Sequence, residues 1–254
     1  MFLRVRDLVA GYGFGDILQG VELDIGEGTV TCIVGPNGAG KSTVLRTISG
    51  LLRPRRGSIE LDGREIAGSS PRAVLEQGVV QVPQSNGVFP GMSVRDNVLL
   101  GAYPIRRDRA LVARRYAALA EKFPIIAERA GEPAGNLSGG QRRVVECARA
   151  LILQPRVVLL DEPSVGLDPM ALKLVYGAIE LMHAAGTTIL LVEQNVRIGL
   201  SRATHGVVME GGRVRMSGVA GAILGDPAIG ELYLGGRAKA ATAGEAPGAG
   251  DSDG

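Results

Sequence analysis

The sequence predicts an α/β fold: a mixed core sheet, a small antiparallel subdomain at the N-terminal end and a helical subdomain set into the middle of the chain. Three observations carry this reading. Val30 to Val34 form an unbroken apolar run of strand length, Gly35-Pro36-Asn37-Gly38-Ala39-Gly40-Lys41-Ser42 turns sharply after it, and Val44, Leu45 and Ile48 then recur at helical spacing. Val157 to Leu160 and Thr187 to Val192 are two more short apolar runs, each followed by acidic residues. Between the first strands and these later ones lies a block from Ser93 to Phe123 that reads as helix.

Taken in order, Leu3, Val5, Leu8 and Val9 form an opening strand ending at Gly11-Tyr12-Gly13, with Val21 to Ile25 as its partner. Gly26-Glu27-Gly28 turns the chain into the run from Val30. Arg53-Pro54-Arg55-Arg56-Gly57 breaks the helix that begins at Lys41, and Ser58 to Leu61 with the turn Asp62-Gly63 adds a short strand. Gly78 to Val82 is another strand, running into Pro83-Gln84-Ser85-Asn86-Gly87. A helix begins at Ser93, and a second spans Arg106 to Phe123 with Leu111, Tyr116, Leu119 and Ala120 opposite five arginines and a lysine. The helical lobe is placed at about residues 90–153 and ends with a helix from Arg142 to Leu153, its buried face formed by Val144, Val145, Ala148 and Leu151. Asp168 caps a helix that runs to Ala185 with Pro169 in its first turn. Gly206 to Met209 and Arg213 to Met216 close the fold as a hairpin through Glu210-Gly211-Gly212. Beyond Gly235 the composition collapses to Ala, Gly, Glu, Pro and Asp, so residues 237–254 are expected to be a disordered tail behind a domain of residues 1–236.

Composition narrows the function classes. A net charge of +2 over 254 residues is too mild for a nucleic-acid footprint. The longest aliphatic runs, such as Ile189 to Val192, fall far short of the roughly 18 residues that a membrane span needs. Arg4, Arg6 and Asp7 interrupt any signal-like pattern, which sets the expectation of a cytosolic protein. Cys32 and Cys147 have no ligand-like neighbours and read as buried, reduced thiols. His183 reads as a surface residue late in a helix, and His205 as one without a functional role.

The chemistry-bearing residues form one constellation. Gly35 to Ser42 is G-x-x-x-x-G-K-S between a strand and a helix, the pattern that surrounds phosphates with backbone N–H groups. Lys41 reaches the β and γ oxygens, and Ser42 offers a hydroxyl to Mg2+. Asp161, at the end of an apolar strand, holds Mg2+ through water, and Glu162 is placed to orient or deprotonate the attacking water. Gln84 ends a strand with an amide able to touch both metal and water. Leu137-Ser138-Gly139-Gly140-Gln141 makes a second anion cradle at a helix start, which suggests service to another chain's nucleotide. Arg142, Arg143 and Arg149 either touch phosphate or solvate their helix, with Arg142 the favoured contact. Tyr12, as a lone aromatic, reads as core.

In this order the sequence resembles the nucleotide-binding subunits of ABC transporters: Walker A (Gly35 to Thr43), Q-loop (Gln84), signature (Leu137 to Gln141), Walker B (Val157 to Asp161, with Glu162) and D-loop (Ser164 to Asp168), over residues 2 to 236. The resemblance implies a P-loop ATPase of the ABC type that uses ATP and Mg2+. It implies a head-to-tail dimer with a second ATP-binding subunit or with itself, so that the signature Ser138, Gly139, Gly140 and Gln141 covers ATP held by the partner's loop. It also implies that Tyr12 stacks on adenine, reversing the core reading. Two integral-membrane permease subunits and a solute-binding protein are the further implied partners, with the ATPase peripheral on the cytoplasmic face of the membrane. The cleft near Gln84 to Phe89 would receive a permease helix, and Arg106, Arg107 and Arg109 would face the anionic membrane surface.

Val82-Pro83, Val88-Phe89, Leu191 to Asn195, Met209 to Val214 and Tyr233-Leu234-Gly235-Gly236 are similar to the second ATP-binding subunit of branched-chain amino-acid importers. Gln194 stands where most of the superfamily has histidine, as is common in that subgroup. Gln84 and Asp168 depart from the subgroup, which often has glutamate and alanine there. An exporter ATPase for lipopolysaccharide or lipoprotein is the alternative. A DNA-repair or translation ATPase is disfavoured because the chain has one motor and only a short helical insertion.

Overall fold

Two sheets meet at the loop that follows Val34. The computed structural model describes residues 1–84 and 87–229. β1 (Leu3–Ala10) cannot bury Leu3, Val5, Leu8 and Ala10 on one face with a strict two-residue period. The conflict is resolved at Asp7, whose φ of 46° accompanies a register shift between Val5 and Leu8, so that both apolar pairs turn inward. β1 lies between β2 (Leu18–Ile25) and β4 (Arg56–Leu61), and β5 (Arg64–Glu65) completes an antiparallel sheet in the order β2-β1-β4-β5.

The second sheet has the order β10-β9-β3-β8-β7-β6. β3 (Val30–Val34), β6 (Val79–Val82), β7 (Val157–Asp161), β8 (Thr188–Glu193) and β9 (His205–Glu210) run parallel, and β10 (Arg213–Val219) is antiparallel to β9. Helices cover both faces, which is why every residue of β3, β7 and β8 is buried and why these strands read as continuous apolar runs. On one face Ile33 packs with Val44, Leu45 and Ile48 of α1 (Lys41–Ile48) and with the antiparallel sheet. On the other, Cys32 and Val34 pack with α6 (Gly139–Leu151) and α7 (Pro169–Ala184). α2 (Pro71–Glu76), α3 (Val94–Leu100), α4 (Arg109–Lys122), α5 (Pro124–Glu128), α8 (Val196–Leu200) and α9 (Ala220–Leu224) complete the described chain. In register, Val34 pairs with Glu193 and Asp161 with Val192, so the parallel strands end together at one edge of the sheet.

Several expected boundaries move. α4 starts at Arg109 because the Asp108 carboxylate accepts from Leu111 N at 2.9 Å, leaving Arg106 and Arg107 in the turn after a short 3-10 turn at Tyr103–Ile105. α6 starts at Gly139 and ends at Leu151, which is half-buried, so Leu153 lies outside it. His183 is also not a bare surface residue: it is half-buried, with Nε2 2.9 Å from the carbonyl of Gly28. His205 is the exposed first residue of β9. Cys32 and Cys147 are buried and unpaired with each other, and burial pushes the Cys147 thiol up to about 12. Among the described residues no helix is long and apolar enough to cross a membrane. Tyr233 to Gly236 and the tail of residues 237–254 lie outside the described residues.

Candidate functional site

The loop from Gly35 to Gly40 leaves β3 and opens α1, and its backbone demands glycine. Gly35 has φ 154°, and a Cβ there would lie 2.1 Å from the carbonyl oxygen of Met209. No side chain caps the N-terminus of α1 and no acid occupies its first turn, so the helix presents unsatisfied N–H groups and the positive end of its dipole. A cavity of about 460 Å3 opens on this end, lined by Asn37, Gly38, Gly40, Lys41, Ser42 and Thr43 from the loop and helix, together with Ile17, Gln84, Glu162, Val165 and Gln194.

Lys41 is only 4% exposed. Its Nζ donates to the carbonyls of Gly35 at 2.9 Å and Pro36 at 3.1 Å, and stands 3.7 Å from Glu162 Oε1. Ser42 Oγ donates to Asp161 Oδ1 at 2.7 Å. A hydroxyl and a carboxylate side by side are hard oxygen donors, and they suit a Mg2+ that completes its shell with water and phosphate oxygens. Glu162 follows β7 with φ 46°, a left-handed conformation costly for a side-chain-bearing residue, and its N–H donates to Val192 O at 3.0 Å. The turn brings its buried carboxylate to the cavity, where Gln84 Nε2 donates to Oε2 at 2.8 Å. Gln194, exposed just after β8, also lines the cavity.

Ser138 to Gln141 stand elsewhere. Ser138 caps α6, its Oγ accepting from Gln141 N at 3.3 Å while Gln141 Oε1 accepts from Ser138 N at 3.0 Å. None of the four lines the cavity around Lys41; Gly139 borders a second cavity that shares Gln84 and Val165 with the first. Tyr12 is 47% exposed and accepts a hydrogen bond from Arg46 of α1 at 3.0 Å, which overturns the core reading made from the residue alone. It is absent from the lining of the Lys41 cavity, whereas Ile17, which sequence reasoning missed, is present.

Also missed was the apparatus that holds Pro83 and the backbone from Gly87 to Phe89. Arg143, buried, donates to Pro83 O at 2.8 Å and Glu146 Oε2 at 2.6 Å, and Glu146 Oε1 accepts from Gly87 N at 3.0 Å. Arg149 donates to Gly87 O and to Asn97, whose fully buried amide in turn binds both N and O of Phe89. Burial lowers the Arg149 pKa from its ordinary value. Arg142, favoured from sequence, is exposed, while Arg143 faces inward. The signal was available: Gly140, Arg143, Val144, Cys147 and Ala148 follow helical spacing on one stripe. Arg143→Ala would leave Glu146 buried without its cation and is expected to lower stability by about 3–5 kcal/mol. Urea unfolding checks this; a change below about 1 kcal/mol would mean that water already solvates the pair.

Comparison with known proteins assigns the family and the fold. Residues 18–165 match the ABC transporter family. The chain is 34% identical, over 89% of its length and 96% of the relative's, to the high-affinity branched-chain amino acid transport ATP-binding protein BraG of Pseudomonas aeruginosa. It is likewise 34% identical, over 92% of its length and 96% of the relative's, to the lipopolysaccharide export system ATP-binding protein LptB of Acidithiobacillus ferridurans. The crystal structure of the ADP conformation of an ATP-binding cassette of an ABC transporter superposes with a TM-score of 0.83 at 28% identity, covering 92% of this chain and 98% of that one. With the phosphate loop, the paired acids and the two-sheet α/β architecture already in place, the chain belongs to the ABC transporter family as an ATP-binding subunit, an ATPase that uses ATP and Mg2+ to drive transport through a permease.

Proposed function

We propose that this subunit energises import of branched-chain amino acids or related small solutes. The observation that carries the reading is the run Leu191-Val192-Glu193-Gln194-Asn195, which ends β8 at the edge of the Lys41 cavity with glutamine in the position that follows the acid. Similarity to BraG supports it. The similarity to LptB favours a second reading, lipid or lipopolysaccharide export. ATPase assays on the complex purified from its native membrane separate the two. Stimulation several-fold by a solute-binding protein loaded with leucine, isoleucine or valine is expected; a response to lipopolysaccharide alone would transfer the subunit to the second reading.

In the proposed site Lys41 and the loop N–H groups hold the β and γ phosphates, and Ser42, Asp161 and Gln84 stand on the metal side. Magnesium, when bound, neutralises charge on the phosphate oxygens and fixes their geometry. Glu162 orients the attacking water and takes its proton, while Gln84 fixes the carboxylate. Gln194 senses the γ-phosphate by hydrogen bonding only, since an amide cannot pass on a proton as imidazole does. Gln194→Ala is expected to lower turnover about tenfold, the value of one lost hydrogen bond, and Gln194→His to retain or raise it. If Ala matches wild type and His gives no gain in the full complex, the amide is a bystander.

The proposed partners are a second ATP-binding subunit or a second copy in head-to-tail contact, two permease subunits and a solute-binding protein, on the cytoplasmic face of the membrane. Residues 1–236 would form the motor, with the lobe at about 90–153 as its coupling part. A largely apolar cavity of about 510 Å3, walled by Val82, Phe89, Leu100, Tyr103, Pro104 and Leu153, is suited to the permease helix. A cysteine at residue 88 should give a nucleotide-sensitive cross-link to a cytoplasmic permease loop; its absence in native vesicles would remove the mechanical basis of the proposal.

A further inference from the structure

Glu193 ends β8 and is 0% exposed, yet among the described residues no lysine, arginine or histidine forms an ion pair with it. A carboxylate buried without a cation is costly to keep, and an apolar side chain would serve the sheet at lower cost. Three donors converge on it instead. Oε1 accepts from Tyr176 Oη at 2.9 Å and from the backbone N–H of Ser164 at 3.2 Å; Oε2 accepts from Ser164 Oγ at 2.6 Å. Burial raises the Glu193 pKa, and the hydrogen bonds from Ser164 and Tyr176 oppose that shift.

What the three bonds join is specific. Glu193 is paired in register with Val34, the last residue before the phosphate loop, and is followed by Gln194. Ser164 is two residues beyond Glu162 and is followed by Val165, which lines both the Lys41 cavity and the cavity beside Gly139. Tyr176 is buried on α7, and the Arg202 guanidinium lies over its ring, 4.8 Å from the centre. α7 also carries Ala171, against which Gly140 packs so closely that a Cβ on the glycine would lie 2.8 Å from it.

We propose that Glu193 is a positioning residue for hydrolysis: it ties the segment from Ser164 to Asp168 to the strand end that carries Gln194, so that the γ-phosphate wall and the segment reaching toward the signature helix hold one geometry. The proposal rests on the reading of the Lys41 cavity as the ATP site. Glu193, Ser164 and Tyr176 do not line the Lys41 cavity, so the effect falls on turnover and not on nucleotide affinity.

The test is steady-state ATPase of the assembled transporter, with nucleotide affinity measured by equilibrium titration. Glu193→Leu, which removes both carboxylate oxygens, and Ser164→Ala are each expected to lower kcat on the order of tenfold, as misplacement of a reacting geometry does, with ATP affinity within about twofold of wild type. The double variant should be no worse than the poorer single one, because both remove the same tie. Ser164→Thr, which restores the hydroxyl, should recover most of the activity, a rescue that a space-filling role would not give. If Glu193→Leu does not fold, Ser164→Ala and Tyr176→Phe, which each remove one donor, carry the same test. A kcat within twofold of wild type for both, losses that multiply in the double variant, or a loss of affinity with kcat retained would each overturn the proposal. Failure of the underlying site is read separately, as retention of ATP affinity by Lys41→Ala.

Discussion

Glu162→Gln is expected to bind ATP as tightly as the native chain, within about twofold, and to turn over roughly 100-fold more slowly or worse, the ordinary contribution of a general base. The substitution keeps the length of the side chain and an oxygen that can accept from Gln84 Nε2, now at 2.8 Å, so the wall of the cavity survives. It removes the lone pair and charge that would take a proton from water. The backbone at this position is left-handed and pinned to Val192 O, and nothing in the change from acid to amide relaxes it. ATP should therefore remain trapped, and a nucleotide-dependent dimer should accumulate in size-exclusion chromatography. Near-normal turnover in the assembled transporter would remove Glu162 from the chemistry.

Lys41→Ala should fail earlier, at binding. Its ammonium is buried, holds two carbonyls of its own loop and lies 3.7 Å from Glu162. These contacts keep the loop open and the charge poised beside the helix end, where it can exchange carbonyl oxygens for phosphate oxygens. Loss of charge-assisted bonds of this kind costs about 1.5–3 kcal/mol each, so ATP affinity should drop by roughly 10- to 100-fold, and turnover with it. Arginine should not rescue it, because a planar fork cannot occupy the place of a compact ammonium. Titration calorimetry alongside circular dichroism checks the claim: affinity unchanged in a folded Lys41→Ala protein would refute it.

The strands flanking the site were legible because burial on both faces writes itself as unbroken aliphatic runs, as in Val30–Val34 and Val157–Leu160. The phosphate loop was legible because close backbone approach leaves glycine at fixed intervals. Less legible was whatever depends on contacts far apart in the chain. The bulge at Asp7 shows in sequence only as a broken alternation. Asn97 and Arg149 meet across 52 residues, and Glu193 meets Ser164 across 29, with no periodicity to announce either pair. The start of α4 was misjudged because the arginines before Asp108 have good helix propensity, while the cap decides where the helix begins.

Around the phosphate loop, three chain segments meet through main-chain atoms. Ala39 O accepts from Gly212 N at 3.1 Å, and Gly212 O accepts from Gln19 N at 2.9 Å, so the turn of the β9–β10 hairpin stitches the loop to the antiparallel sheet. A Cβ on Gly212 would fall 1.9 Å from Ile17 O, as one on Gly35 would strike Met209 O. This seam is insulated from drift. Side chains on the strands around it can be exchanged over generations while its main-chain hydrogen bonds stay, whereas a change at either glycine meets backbone that has nowhere to retreat. Inherited variation in this subunit should therefore accumulate freely on the outer strands and stop abruptly at the seam, leaving the same nucleotide cradle beneath surfaces adapted to different transporters.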